Sequence, residues 1–351
     1  MITPSDRAAI DRSIDRSLAR MRERAGTLGE AFHSLVASIE RAAAGGKRWR
    51  PALVVASFES FGGSVEHQPA LYDIATAFEL LHTSFVVHDD VIDHDTVRRG
   101  IPNVGGEFRA RATAMGADAA GSSTLGDAAA ILAGDLLLHE ASRIVALAEL
   151  DPTLRRRVLD LFDDAVYVSA AGELADVENS ITSDVAQSPA ILDAAFNKTA
   201  VYSFRAPLVA GGLLAEAGDD AIAVLESAGG RVGLAFQLVD DLIGAFGTEA
   251  QAGRDEGGDL RESKRTPLVA LARESPTWPK VSDALAVAHT GPIAVREAQR
   301  ALEESGARAR LRVLIDETLD DVRFAASDPA LPGAASTLLR TLADDVERRV
   351  P

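Results

Sequence analysis

The stretch LLHTSFVVHDDVIDHDTVRRG, residues 80–100, closes the most regular apolar pattern in the chain. Upstream of it, Leu71, Ile74, Ala75, Phe78, Leu81, His82 and Phe85 recur at spacings of three and four, so residues 69–93 are expected to form a helix. Its last turn then carries Asp89, Asp90 and Asp93 straight after Phe85-Val86-Val87. Acids at a helix C-terminus oppose the macrodipole, at about 0.3–1 kcal/mol each. A solvated acidic helix end is the plain alternative, but acids at the unfavourable end of a core-like helix suggest a role beyond solubility. Asp89 and Asp93 are four residues apart and share a helix face. Two such carboxylates repel unless a cation sits between them. Hard oxygen ligands select Mg²⁺ or Ca²⁺, and Mg²⁺ typically joins one or two carboxylates to substrate phosphates.

The theme returns about 150 residues on, as FQLVDD, residues 236–241. Asp240 and Asp241 follow Val232, Leu234, Ala235 and Phe236, a segment that otherwise looks buried. Charges in such a helix are rare unless paired or metal-bound. A structural ion pair would explain one such site. Two of them point to a metal-bridged anion, and a helical bundle with inward carboxylates is one way to build that.

Cations lie close to both clusters. GGKRWRP places Lys47, Arg48 and Arg50 just after Gly45-Gly46, a setting that suits phosphate. Arg98 and Arg99 trail the first acid group, Lys198 lies in FNKTA, and Lys264 follows the second group. His82 sits two helical turns before Asp89 and faces the same way, as a ligand-binding group or as a core histidine. Arg155-Arg156-Arg157 and Glu347-Arg348-Arg349 have the look of solvated surface charge.

Helical periodicity also covers 6–24, 28–44, 127–149, 153–178, 188–216, 219–246 and 265–274, with two or three amphipathic helices in 293–349. Residues 100–126, rich in Gly, Ala and Ser, are expected to form a long loop with one short helix at most, and 275–292 a linker. Sustained period-two alternation is missing, so a single all-α domain spanning 1–351 is expected. Of the 351 residues 47% are apolar, enough for a large core. A net charge of −17 argues against nucleic acid as partner and against charge-driven docking on anionic lipid. Metal ions could still bridge such a chain to an anionic substrate. Cysteine is absent, which removes thiolate metal sites and cysteine nucleophiles. The charged N-terminal stretch does not resemble a secretory signal, and no apolar run approaches the ~20 residues of a membrane span, so a cytoplasmic location is expected.

Taken in order, GGKRWRP, LLHTSFVVHDDVIDHDTVRRG, AILAGDLLL, FNKTA, GLAFQLVDD and DLRESKRT resemble segments of the trans-isoprenyl diphosphate synthases, the polyprenyl synthetase family, over about residues 45–270. The resemblance implies an isoprenoid synthase-type helical bundle around a central cavity, usually as a homodimer, with the two acid groups facing each other across its mouth. It implies that Asp89, Asp93 and Asp240 hold three Mg²⁺ ions on an allylic diphosphate, with Asp90 and Asp241 supporting. Arg98, Lys198 and Lys264 would surround that diphosphate. Lys47, Arg50, His82 and Arg99 would take isopentenyl diphosphate, and Thr199 and Gln237 would face the developing allylic cation. The implied reaction is head-to-tail condensation of the two diphosphates. Phe85 and Ser84, four and five residues before Asp89, give mixed signals on product length. Geranylgeranyl diphosphate is put first, then farnesyl, then longer products.

Three departures from the family pattern stand out. Gly244 occupies the last position of the usual Asp-Asp-x-x-Asp, with Asp255, Glu256 or Asp259 as possible substitutes. Glu173 follows Gly172 where glutamine is usual, and residues 106–126 look long. A terpene synthase on the same fold, a non-catalytic subunit of a heteromeric synthase and a metal-dependent phosphohydrolase are the other readings. The isopentenyl residues argue against the first, the intact first acid group against the second, and the second acid group against the third.

Overall fold

The computed structural model describes residues 2–98, 100–181, 187–248, 251 and 256–351. Its elements are helices, apart from one hairpin of two-residue strands, Val97–Arg98 and Ile101–Pro102. The expected all-α class is borne out. Contacts group the chain into two compact units, residues 1–162 with 213–215, and residues 163–212 with 216–351.

In the first unit, helices α1 (Pro4–Ala25), α2 (Glu30–Ala43) and α3 (Trp49–Ser60) lead to α4 (Leu71–Ile92). The three-four spacing of α4 has its expected effect: Leu71, Ile74, Phe78 and Leu81 are fully buried. Phe78 meets Phe162 at 5.5 Å between ring centroids. Burying each such side chain stabilises the fold by about 1.5–3 kcal/mol. The expected loop over 100–126 is instead mostly helix. Helix α5 (Val104–Ala114) starts at Asn103, whose side chain accepts from Gly106 N–H, and α6 (Ala119–Leu147) starts at Asp118, which accepts from Gly121 N–H. The two caps were legible as Asn and Asp, but the Gly/Ser/Ala-rich interior obscured the period between them. Helix α6 packs closely on α4: a Cβ at Gly134 would collide with the His88 ring, 2.7 Å from Cε1, and the buried Ser84 hydroxyl donates to the Gly134 carbonyl at 2.8 Å. Helix α7 (Pro152–Ile181) follows, with residues up to Phe162 in the first unit and those from Asp163 on in the second.

The second unit holds α8 (Ser188–Ala195), which continues through a π-helical stretch, Phe196–Arg205, into α9 (Ala206–Leu214). Helix α10 (Asp219–Phe246) lies against that stretch. Glycines make the approach possible, because a Cβ at Gly233 would stand 2.6 Å from Ala200 Cα and one at Gly229 3.0 Å from Arg205 Cα. Helices α11 (Gly258–Arg261), α12 (Pro267–Arg273), α13 (Trp278–Ala286), α14 (Pro292–Glu304), α15 (Ala307–Ala325) and α16 (Gly333–Glu347) complete the unit. The expected linker, 275–292, therefore contains a helix. By length and composition α10 alone among the described residues qualifies as a membrane span. More than half of its apolar window is buried inside the protein, as suits a core helix.

Helix α1 is tied to α4 through polar contacts. Thr3 and Asp6 form a capping box, and the Tyr72 hydroxyl donates to Asp6 at 2.8 Å. Burial pushes the Asp6 carboxyl up, but the bonds from Thr3 and Tyr72 outweigh it and leave its pKa below the ordinary value. Burial, together with the Asp6 carboxylate, pushes the Tyr72 phenol from 10.0 up to about 12. A raised acid pKa contributes stability that is complete below the unfolded value and is lost as pH rises toward the folded one. The melting temperature should therefore fall between pH 10 and about 12, and Tyr72→Phe should make that fall shallower while lowering the melting temperature at neutral pH. A thermal-melt series from pH 7 to 12 checks both.

Candidate active site

In the first unit the acid motif is shaped by the end of α4. The Asp93 N–H donates to the Asp89 carbonyl at 2.8 Å and closes the helix, and Asp95 N–H reaches Asp90 O at 2.8 Å. His94 and Gly100 adopt left-handed backbone, with φ of 59° and 78°, and turn the chain back through the hairpin. That turn returns Arg98 to α4. Its guanidinium lies 2.6 Å from Asp90 and 3.5 Å from Asp89. Asp90 is buried, whereas Asp93 is exposed. Burial pushes the Asp90 carboxyl up, Asp89 and Asp95 push the same way, and Arg98 opposes them without cancelling them. The desolvated Arg98 is in turn held above its usual range by Asp90, Asp89 and Asp95.

A cavity of about 350 Å³ opens beside this group, lined in part by Gly46, Arg48, Glu79, His82, Asp90 and Arg98. His82 thus reaches the same space as the acid motif. Lys47 is exposed and Arg50 half-buried, neither among the lining residues. Arg99 lies outside the described residues. Arg48 differs from its neighbours in GGKRWRP. It is 7% exposed and bonds Glu79 at 3.0 Å, Asp11 at 3.0 Å and the Ala43 carbonyl at 3.0 Å. Its cation holds α1, α2 and α4 together. The loop is also pinned from α1, where Arg7 donates to the Gly46 and Lys47 carbonyls at 2.8 and 3.1 Å.

In the second unit, Gln237, Asp240 and Asp241 lie along α10. The Gln237 amide nitrogen donates to Asp241 Oδ1 at 2.9 Å, which turns its carbonyl oxygen the other way. Asp241 is buried and its pKa stands well above the ordinary carboxylate value, first from burial, then from Asp259, with Asp240 and Asp176 adding to the Gln237-opposed rise. Asp240 pairs with Arg349, whose guanidinium stacks 4.1 Å from the Phe236 ring centroid. Arg349 is therefore part of this site and not the solvated cation expected from sequence. Nothing local marked it, because the contact joins residues 109 apart.

Lys198 and Thr199 lie on the π-helical stretch, a geometry frequent at functional sites. A Cβ at Gly172 would stand 2.6 Å from the Asn197 carbonyl carbon, so glycine lets α7 touch that stretch. Lys198 Nζ then lies 3.1 Å from Glu173 and 2.9 Å from Asp176. Asp176 escaped the sequence reading, although it stands three residues from Glu173 on one helix face. Lys264 is exposed, 3.3 Å from Glu262 and 3.9 Å from Asp259.

Among the described residues no three acids or histidines form a ready-made metal cage. The donor set nonetheless fits Mg²⁺, which takes few protein ligands and completes its shell with water and phosphate. Every candidate ligand, Asp89, Asp93 and Asp240, is a hard carboxylate.

Comparison with known proteins fixes the class. Geranylgeranyl pyrophosphate synthase from Corynebacterium glutamicum, in complex with isoprenyl diphosphate and magnesium, superposes with a TM-score of 0.87 over 98% of each chain at 26% identity. Polyprenyl synthase from Caulobacter crescentus, bound to calcium and isoprenyl diphosphate, gives 0.73 at 27% identity, over 99% of this chain and 95% of the other. The fold is the all-α isoprenoid synthase fold. The polyprenyl synthetase family model matches residues 33–303, and the chain belongs to that family. Geranylgeranyl diphosphate synthase of Sulfolobus acidocaldarius is 34% identical over 232 residues, 66% of this chain and 64% of the relative's length.

Removing one partner of a buried ion pair leaves the other charge uncompensated, at about 3–5 kcal/mol. Arg48→Ala should therefore lower stability by an amount of that order. Lys47→Ala, at an exposed position, should leave the melting temperature unchanged while raising the KM for a diphosphate substrate. Denaturant melts and steady-state kinetics on the two variants separate the scaffold cation from the binding one.

Proposed function

We propose that this chain is a magnesium-dependent prenyltransferase that joins isopentenyl diphosphate head-to-tail to an allylic prenyl diphosphate, with geranylgeranyl diphosphate as product. The observation that carries the reading is the Asp89-Asp90-Arg98 group beside a cavity that His82 also lines. Family membership and the names of the relatives support the substrate class. Asp89, Asp93 and Asp240 are the proposed Mg²⁺ ligands, with Asp90 and Asp241 supporting them, and three ions per site are inferred. Bound Mg²⁺ would neutralise the charge that develops on the departing diphosphate.

The chain's own residues do the rest. Arg98, Lys198 and Lys264 bind the allylic diphosphate, and Lys47, Arg50, His82 and Arg99 hold isopentenyl diphosphate. Thr199 and the Gln237 carbonyl oxygen face the carbon from which diphosphate leaves and stabilise its positive charge. The isopentenyl double bond then attacks that carbon. A proton is lost to complete the new double bond, with the departing diphosphate as its acceptor. Exclusion of water protects the cation. A homodimer is inferred as well, supported by the exposure of Ile131 and Leu132 on α6, large apolar side chains of the kind that interfaces cover. The acidic, cysteine-free composition is consistent with a cytoplasmic enzyme.

Purified protein with Mg²⁺ and labelled isopentenyl diphosphate should extend dimethylallyl, geranyl or farnesyl diphosphate, and Asp89→Ala should abolish extension. Phe85, half-buried one turn before Asp89, should limit the product, so Phe85→Ala should shift the distribution to longer chains. Absence of incorporation with every primer, or release of hydrocarbon from the allylic diphosphates alone, overturns the assignment.

A further inference from the structure

Lys198 starts from a fixed point. The backbone there rests on Gly172 of α7, where an added Cβ would stand 2.6 Å from the Asn197 carbonyl carbon and 2.7 Å from Lys198 Cα. From that point the ammonium group donates to two carboxylates of α7, Glu173 at 3.1 Å and Asp176 at 2.9 Å. The two partners differ in setting. Asp176 is half exposed and near enough to Asp241 to add to the raised pKa of that carboxyl. Glu173 is 24% exposed, about as shielded as Lys198 itself, so solvent and salt screen its charge less.

Orientation of Lys198 does not call for a charge at residue 173. Asp176 already fixes the ammonium group, and an amide oxygen at 173 would accept the same hydrogen bond. What the carboxylate adds is electrostatic. A diphosphate arriving at Lys198 must draw the ammonium group away from Glu173 and also meets the repulsion of that carboxylate. The repulsion falls when the diphosphate carries Mg²⁺, because the complex presents less negative charge.

We propose that Glu173 is a specificity-determining residue: by competing for Lys198 it sets the site against a bare allylic diphosphate and in favour of the magnesium complex. The inference rests on the magnesium-dependent reading given above and deepens it. Glu173 acts through Lys198, as a positioning residue and not as a metal ligand.

The probe is farnesyl thiodiphosphate, an allylic diphosphate that resists ionisation. It is titrated calorimetrically into the full chain, once in EDTA and once in saturating Mg²⁺. Glu173→Gln should tighten binding in EDTA by roughly three- to tenfold and change binding in Mg²⁺ by less than about twofold. Glu173→Asp, which keeps the charge, should stay near wild type. In a Lys198→Ala background the gain from Glu173→Gln should fall by at least half, because the two residues are coupled. Tightening separates this role from a merely structural one, since damage to a site weakens binding. Weaker or unchanged binding by Glu173→Gln in EDTA overturns the proposal, and so does an undiminished gain in the Lys198→Ala background. A higher Mg²⁺ requirement for Glu173→Gln also overturns it, by making Glu173 a metal ligand. Should Glu173→Gln melt below the assay temperature, Glu173→Ala carries the same prediction. Variants that follow this pattern in a protein that never condenses substrates sink the functional reading and leave this one standing. Condensing wild type with a Glu173→Gln variant no tighter in EDTA sinks only this one.

Discussion

Repulsion between carboxylates set into apolar helices is the constraint that shapes each of the two acid groups. Two unit charges about 4 Å apart at an effective dielectric constant near 20 interact by roughly 4 kcal/mol. That exceeds what a helix terminus contributes, about 0.3–1 kcal/mol. Each acid group must therefore be balanced by a cation brought to it from elsewhere. Asp89 and Asp90 receive Arg98 across a tight hairpin, and Asp240 receives Arg349 from the end of α16. Lys198 is held in the same way by Glu173 and Asp176. The hairpin, the π-helical stretch and the C-terminal segment each deliver one of these cations.

Delivery depends on close backbone approach, and here small residues matter more than large ones. Gly134 admits the His88 ring between α4 and α6, Gly172 admits the π-helical stretch to α7, and Gly233 admits it to α10. Any side chain at these points would push a helix outward and carry its polar groups away from their partners. Overpacking of this kind typically costs 1–3 kcal/mol, roughly. The effect on the site would be larger than that figure suggests, because a charged group displaced by an ångström loses its partner as well as its packing.

Much of this was legible in the sequence, and the exceptions have a common physical cause. Period and flanking glycines marked the helices over 6–24, 28–44, 69–93 and 188–246, and the paired aspartates marked the acid groups with their helix faces. The stretch from 100 to 126 misled because Gly, Ala and Ser bury little and leave a weak period, although Asn103 and Asp118 cap real helices. Arg48 was indistinguishable from Lys47 by composition, since only the left-handed backbone at Arg48 turns its side chain inward to Glu79. Arg349 and Asp259 depend on contacts distant in sequence, which periodicity cannot register. Glu173 was visible as a departure, but its meaning was not. A glutamate there gives Lys198 a second anionic partner that a neutral glutamine could not provide.

If it handles diphosphates as proposed, a chain with a net charge of −17 must resolve a conflict of sign. On the proposed reading, Asp89, Asp93 and Asp240 repel the substrate while Arg98, Lys198 and Lys264 attract it, and these opposed charges lower the affinity of the metal-free site for a free diphosphate. Bound Mg²⁺ would reverse that balance, because each ion adds two positive charges beside the carboxylates. Metal and diphosphate must then bind cooperatively, and linkage makes the coupling reciprocal: the diphosphate tightens Mg²⁺ by the same factor by which Mg²⁺ tightens the diphosphate. The acid excess thus favours the metal-diphosphate complex over either component alone. A site built from the same cations with fewer acids would bind bare diphosphate more readily, and product diphosphate would be among the first ligands to occupy it.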